Sequence, residues 1–125
     1  MTRVRLSIDN LAFVAELNNS ATATALLEHL PLRLRMSRWG DEYYADVGVP
    51  LGVSLSADAR DELAIGDLAY WPPGNALCLF FGPTPASLGD EPRAASDVNP
   101  LGRVVGDLAP LRELGGAVDV ELTLD

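Results

Sequence analysis

Hydrophobic and polar residues alternate along much of the chain, and this two-residue period predicts a mainly β fold. Residues 3–9 and 11–17 alternate as half-buried strands do, with one face towards the core and the other towards solvent. Asp9-Asn10 stands between them, and both residue types tolerate the positive φ angles of a tight hairpin. The same alternation over residues 32–37 and 118–125 predicts two further strands.

Three segments differ from these simple strands. Residues 77–81 are apolar at every position, which is typical of a strand covered on both faces. Residues 49–55 alternate, but Pro50 lacks the amide hydrogen that a sheet ladder needs, which favours an edge strand or a loop. Residues 86–97 are rich in Ala, Ser, Gly, Asp and Pro and predict one long loop.

Two short helices are predicted between the strands. The first has Asn19 or Ser20 as its N-terminal cap and ends before Pro31, with apolar residues spaced to form one face. The second begins at Asp107 and ends at Gly115-Gly116. Many short strands with two helices predict a single domain over residues 1–125, folded as a small antiparallel barrel or sandwich. Closure is attractive because it removes unpaired strand edges.

Composition narrows the function classes. The 125-residue chain has a formal net charge of -9, nine arginines, no lysine, one histidine (His29) and one cysteine (Cys78). A lone cysteine makes no internal disulfide, and no secretory apolar stretch follows Met1, so we expect a cytoplasmic protein. The acidic balance argues against nucleic acid as a partner, and no apolar run reaches the roughly 20 residues of a membrane span. No metal, phosphate or dinucleotide motif occurs, so we expect no cofactor.

The aromatic residues are concentrated in two windows. Seven of the eight lie in residues 39–44 or 70–81, and only Phe13 lies outside. The second window contains Pro72-Pro73-Gly74-Asn75, in which Gly74 suits the positive-φ position of a type II turn. Aromatic and proline surfaces together predict a preformed groove for a small molecule or an extended peptide, although for any single aromatic residue core packing is the favoured explanation.

Catalytic constellations are weak. His29 has no nucleophile motif beside it, and Cys78 lies in the most apolar segment, where cysteines are usually inert packing groups. Asp41 and Glu42 are adjacent, and neighbouring residues on a strand point to opposite faces, so they form no obvious acid–base pair. Glu42 is the more interesting because it stands among the aromatic residues, where it can receive a hydroxyl or amide or pair with an arginine.

Four segments carry a resemblance that covers nearly the whole chain. These are Trp39-Gly-Asp-Glu-Tyr-Tyr44, the long run Gly66 to Gly82 containing Tyr-Trp-Pro-Pro-Gly-Asn, Thr84-Pro85, and Val98-Asn-Pro-Leu-Gly-Arg-Val-Val105. In that order they resemble the small prokaryotic cyclophilin-like family, whose function is not established. The resemblance implies a closed antiparallel β-barrel of about eight strands with two helices, in agreement with the hydrophobic pattern.

The chain departs from true cyclophilins at the residues that carry prolyl isomerase activity. In those enzymes, a histidine that lines the proline pocket stands four residues before the glycine that matches Gly102, and this chain has Val98 there. The cyclophilin pocket tryptophan also has no counterpart in the loop before Gly102. Arg33, Arg35 and Arg38 are near the region of the catalytic arginine, but none aligns with it unambiguously.

These observations favour a cyclophilin-like module that binds a small molecule or peptide and lacks the full isomerase site. A divergent prolyl isomerase using Arg33, Arg35 or Arg38 is the main alternative. A metabolic enzyme and an oligomeric role, such as a homodimer, are two others. The residues predicted to bind the ligand, because they cluster in the resembling segments, are Trp39, Glu42, Tyr44, Trp71, Asn75, Phe81 and Arg103.

Overall fold

Nine strands, one α-helix and two 3₁₀ turns make up the chain, and the computed structural model describes all of residues 1–125. The strands are β1 (Thr2–Ile8), β2 (Leu11–Leu17), β3 (Leu32–Arg38), β4 (Glu42–Asp46), β5 (Arg60–Glu62), β6 (Asp67–Trp71), β7 (Ala76–Phe80), β8 (Arg93–Val105) and β9 (Ala117–Leu124). Helix α1 (Ala21–Leu27) follows β2, and the 3₁₀ turns (Pro72–Gly74 and Ala109–Glu113) precede β7 and β9.

Eight of the strands form one closed antiparallel ring. Their order is β2-β1-β9-β3-β4-β7-β6-β8, and β8 pairs with β2 to complete the circle. Closure removes the free edges that an open sheet would expose. The short strand β5 pairs with the first half of β8 alone. The predicted mainly β fold, with a closed sheet of about eight antiparallel strands, is confirmed.

The inward-facing residues of the ring form the main core, a cluster of 25 buried side chains. On β1, Val4, Leu6 and Ile8 point inward and are at most 2% exposed, as the alternation predicted. The hairpin to β2 turns at Asp9, whose φ of 49° is the left-handed conformation expected there. Sequence alternation therefore sets which face of each strand meets the core.

Strand β7 is buried on both faces, as its continuous apolar sequence predicted. Leu77 and Leu79 point into the main core, whereas Cys78 and Phe80 point out of the ring into a second cluster of seven buried residues. Val98, from the first half of β8, belongs to this second cluster. The outer face of the ring is thus covered at β7, and this cover produces the site described below.

Helix α1 begins and ends close to the predicted positions. The Ser20 hydroxyl accepts a hydrogen bond from the Ala23 amide at 3.1 Å, which makes Ser20 the N-terminal cap. The helix ends at Leu27, and His29 lies in the turn after it, half-buried. No helix of the chain has the length and apolar character needed to cross a lipid bilayer.

Two local predictions need correction. The second predicted helix is a short 3₁₀ segment, Ala109–Glu113, held by i→i+3 bonds such as the one from the Leu111 amide to the Leu108 carbonyl at 3.0 Å. Pro110 at its start and Gly115-Gly116 after it leave too few residues for an α-helix. In the Pro-Pro-Gly-Asn segment, Asn75 rather than Gly74 has positive φ (48°), because Pro72–Gly74 forms a 3₁₀ turn.

The loop predicted over residues 86–97 is shorter than expected, because β8 already begins at Arg93. The Arg93 guanidinium pairs with Glu91, Asp61 and Glu62 at 2.9–3.2 Å and holds the start of β8 beside β5. Residues 49–55 form no strand, in agreement with the loop that Pro50 favoured. Pairings with distant residues, which alternation does not reveal, therefore define the start of β8.

We expect Gly102→Ala to destabilise the ring at its closure. Gly102 lies opposite Leu17, and an added Cβ would collide with the Glu16 carbonyl oxygen and lie 2.8 Å from the Leu17 Cα. Because both obstacles are backbone, we expect a loss of about 3 kcal/mol or more in the free energy of unfolding, measured by urea denaturation. Gly116→Ala, with no atom near its Cβ, is the control and should change stability by less than about 0.5 kcal/mol. Equal losses in the two variants would contradict this role of Gly102.

Candidate functional site

A cavity of about 200 Å³ opens on the outer surface of the ring, where residues of β4, β7 and the first half of β8 meet. Its wall is apolar except for one carboxylate. It is lined by Trp39, Glu42, Tyr44, Trp71, Ala76, Cys78, Ala94, Ala95 and Val98. The structure thus brings together four of the predicted binding residues, namely the two tryptophans, Glu42 and Tyr44.

Strand alternation explains how β4 and β7 share the cavity wall. On β4, Tyr43 points into the main core, so Glu42 and Tyr44 on either side of it point outward. Their partners across the ladder are Phe80 and Cys78 of β7, which also point outward. One face of a paired strand ladder therefore supplies both the charged group and part of the apolar floor.

Trp39 is placed by the tight connection between β3 and β4. Its amide donates to the Glu42 carbonyl at 2.8 Å, and the Glu42 amide donates back to the Trp39 carbonyl at 3.2 Å. These reciprocal backbone bonds form the tight turn from which Trp39 and Glu42 both reach the cavity.

Trp71 is fixed from two sides. Its indole Nε1 donates to the Ser96 hydroxyl of β8 at 2.7 Å. Its ring packs against Gly74, where an added Cβ would lie 2.7 Å from ring atom Cε3. Gly74 is therefore needed to leave room for the ring, and its backbone needs no unusual angle. The Pro-Pro-Gly turn positions an aromatic wall of the cavity.

Glu42 is the unusual charged residue of the molecule. Only 5% of it is exposed, and its carboxylate forms no ion pair. The neighbouring Asp41 takes the available arginines, with Arg38 at 2.8 Å and Arg112 at 3.6 Å. Burial raises the pKa of Glu42 from 4.5 to about 7, and a hydrogen bond with Cys78 offsets this only in part. The cavity thus contains an unpaired carboxyl group that changes charge near neutral pH.

Cys78 is the other titratable group of the cavity floor. Burial raises the pKa of its thiol well above the ordinary value, and the nearby Glu42 raises it further. The thiol is therefore protonated at neutral pH, which agrees with the interpretation of Cys78 as a packing group.

Three predicted binding residues lie elsewhere. Phe81 points into the main core, where its ring stacks on Tyr43 with a centroid separation of 5.3 Å. Arg103 is exposed on the second half of β8, opposite Glu16 of β2. Asn75 holds the loop after β4, accepting from the Tyr70 hydroxyl at 2.6 Å and donating to the carbonyl of residue 49 at 2.9 Å.

The three arginines proposed for isomerase chemistry do not line the cavity. Arg33 and Arg35 form exposed ion pairs at 2.8 and 2.9 Å with carboxylates of β9. Arg38 pairs with Asp41, and its guanidinium lies 5.2 Å from the centre of the Phe81 ring. This arginine therefore stabilises the end of the ring of strands.

The small residues of the cavity were not predicted as site residues. Ala76, Cys78, Ala94, Ala95 and Val98 make its floor and one rim. The two β7 residues, Ala76 and Cys78, could have been predicted from the sequence. Once Leu77 is placed in the core, alternation puts its two neighbours on the outward face. No cluster of three or more His, Cys, Asp or Glu side chains is arranged to hold a metal ion.

The comparisons with known proteins show the family and the fold of the chain. A family model described as "Cyclophilin-like" matches residues 2–123. The chain belongs to the cyclophilin-like family. The resemblance drawn from the sequence is thereby confirmed.

A solved structure extends the comparison to the whole fold. The chain is similar to a hypothetical protein from Archaeoglobus fulgidus, known from a solution structure, with 33% identity and a TM-score of 0.81. The match covers 99% of this cyclophilin-like chain and 95% of the archaeal one. No curated protein matches the chain.

The raised pKa of Glu42 predicts a stability that falls as pH rises. Glu42 ionises near pH 4.5 in the unfolded chain and near pH 7 in the folded protein, so the folded state loses stability across that window. Relative to Glu42→Gln, the wild-type free energy of unfolding should decrease by about 3 kcal/mol between pH 4 and pH 8. Urea denaturation of both proteins across this range measures the difference, and a difference that does not vary with pH would contradict the assignment.

We expect Asn75→Ala to reduce stability and leave the tryptophan environment unchanged. The substitution removes the hydrogen bonds to Tyr70 and to the loop after β4, and it places alanine at φ 48°. The expected loss is at least about 2 kcal/mol in the free energy of unfolding. Asn19→Ala, an exposed asparagine, should cost less than about 0.5 kcal/mol. A stable Asn75→Ala variant with altered tryptophan fluorescence would contradict the structural role.

Proposed function

We propose that this cyclophilin-like protein binds a small molecule, or one side chain of a peptide, in the cavity between Trp39 and Trp71. The observation that carries the proposal is the buried carboxyl group of Glu42, which has no counter-charge in an otherwise apolar wall. Burying a carboxylate without an opposite charge costs stability, and groups perturbed in this way cluster at functional sites. A concave apolar surface with one orienting polar group is the usual form of a ligand site.

The size of the cavity limits what enters it. A volume of about 200 Å³ is below the roughly 300–1,000 Å³ typical of sites that enclose a drug-sized ligand. The cavity therefore holds one compact group, such as a ring or a branched alkyl head. The rest of the ligand extends over the rim, where Tyr44 is 41% exposed and offers further contact.

The position of Val98 supports descent from a cyclophilin-type site. The resemblance aligns Val98 with the histidine that lines the proline pocket of true cyclophilins, and Val98 lines the cavity of this chain. The cavity wall contains no arginine, which isomerisation of a prolyl bond requires for a hydrogen bond near the nitrogen. These two features favour binding over isomerisation as the function of the cavity.

The test uses two neutral probes, a proline-containing dipeptide amide and 3,3-dimethylbutan-1-ol. We expect either probe to shift the indole N–H signals of Trp39 and Trp71 in the ¹H–¹⁵N NMR spectrum. Ala95→Phe fills the mouth of the cavity from an exposed position and should weaken binding at least about tenfold, while the fold is kept. Ala12→Phe, on β2 outside the cavity, is the matched control.

Two results would contradict the proposal. One is binding that Ala95→Phe leaves unchanged, because the probe would then occupy another surface. The other is that the indole N–H signals shift with neither of the neutral probes nor with the cation choline.

A further inference from the structure

Three aromatic side chains and one carboxylate converge on the cavity, and we propose that its ligand is an organic cation with a methylated ammonium group. The inference rests on the proposed binding function and names the chemical class of the ligand. The aromatic residues are Trp39, Tyr44 and Trp71, and the carboxylate is that of Glu42. Aromatic faces attract cations through the ring quadrupole, and grouped aromatic side chains recognise quaternary and methylated ammonium ions.

The hydrogen-bonding capacity of the wall argues against anions. The indole N–H of Trp71 is already used by Ser96 at 2.7 Å, and no arginine lines the cavity. An anionic ligand would therefore meet the carboxylate of Glu42 with no positive charge to offset it. A quaternary ammonium donates no hydrogen bond and suits a wall of methyl groups and rings.

No positively charged side chain lines the cavity beside Glu42. Cys78 of β7 is the titratable group that faces it most closely, and this thiol is neutral. From β8 the cavity receives only the uncharged Ala94, Ala95 and Val98, and from β6 it receives Trp71. Asp41, next in the chain, is turned towards Arg38. A bound cation therefore supplies the counter-charge that Glu42 lacks in the protein.

The kind of ammonium group follows from the number of acceptors. A primary ammonium has three donors to satisfy, and Glu42 is the only charged acceptor in the wall. Methyl groups instead contact the small apolar side chains of the floor, among them Ala76 and Ala94, both less than 5% exposed. The formal net charge of -9 also increases the rate at which cations reach the protein.

Choline and 3,3-dimethylbutan-1-ol test the inference, because the two molecules differ chiefly in a quaternary nitrogen replaced by carbon. The chain contains two tryptophans, and both line the cavity, so fluorescence excited selectively at tryptophan reports on the surroundings of this site. We expect choline to bind at least about tenfold more tightly than the alcohol, because only the cation is attracted by the aromatic faces and the carboxylate. Affinity for choline should rise between pH 6 and pH 8 as Glu42 ionises.

Two variants separate the carboxylate from the net charge of the protein. Glu42→Gln should weaken choline binding at least about tenfold, remove its pH dependence and change alcohol binding less than about threefold. Glu113→Gln changes net charge equally at an exposed position and should leave both affinities unchanged.

Three other outcomes would overturn the inference. They also show whether the proposed binding function fails with it. Equal or tighter binding of the alcohol would reject the cation and leave the binding function in place. Binding of neither molecule would also reject the cation, and the dipeptide probe would then decide whether the cavity binds any ligand. Choline binding that Glu42→Gln leaves unchanged would show that the carboxylate does not recognise the cation, and it would reject the inference.

Discussion

The burial of β7 on both faces is the constraint on which the rest of the molecule depends. Its inward side chains Leu77 and Leu79 fill the closed ring, and its outward side chains need a second cover. The first half of β8 and the ring of Trp71 provide that cover, but small residues such as Ala94 leave it incomplete. The cavity is the space that remains. The same strand thus joins the stability of the core to the shape of the site.

The sequence predicted the direction of the side chains on each strand better than it predicted which outer surfaces are covered by other segments. Alternation gives the side to which each residue points, and from it the outward positions of Glu42 and Tyr44 can be derived. It does not show which outer surface another segment covers, because that depends on contacts between residues distant in the chain, such as the ion pairs of Arg93 with Asp61 and Glu62. Clustering in sequence therefore grouped Phe81 with Trp71, although the structure places them on opposite sides of the sheet.

Local turn chemistry was predictable where it depends on the backbone and was not where packing decides it. Asp9 adopts the positive φ of a hairpin, as its residue type and its place between two alternating segments predicted. Gly74 was assigned a conformational role, but the ring of Trp71 explains its lack of a side chain. Asn75 takes the left-handed position instead, and its amide then reaches the loop after β4. One turn therefore organises both an aromatic wall of the cavity and a neighbouring loop.

The start of β4 separates two adjacent carboxylates into different environments, because Asp41 lies in the turn before the strand and Glu42 is its first residue. Asp41 meets two arginines at the end of the ring, whereas Glu42 enters an apolar wall with no arginine within reach. Asp41 therefore forms ion pairs within the protein, whereas Glu42 forms none. With valine at position 98, this carboxyl group is the only charged group in the wall. Within a family fold that can carry many functions, the proposed ligand chemistry therefore rests on the charge of this single group.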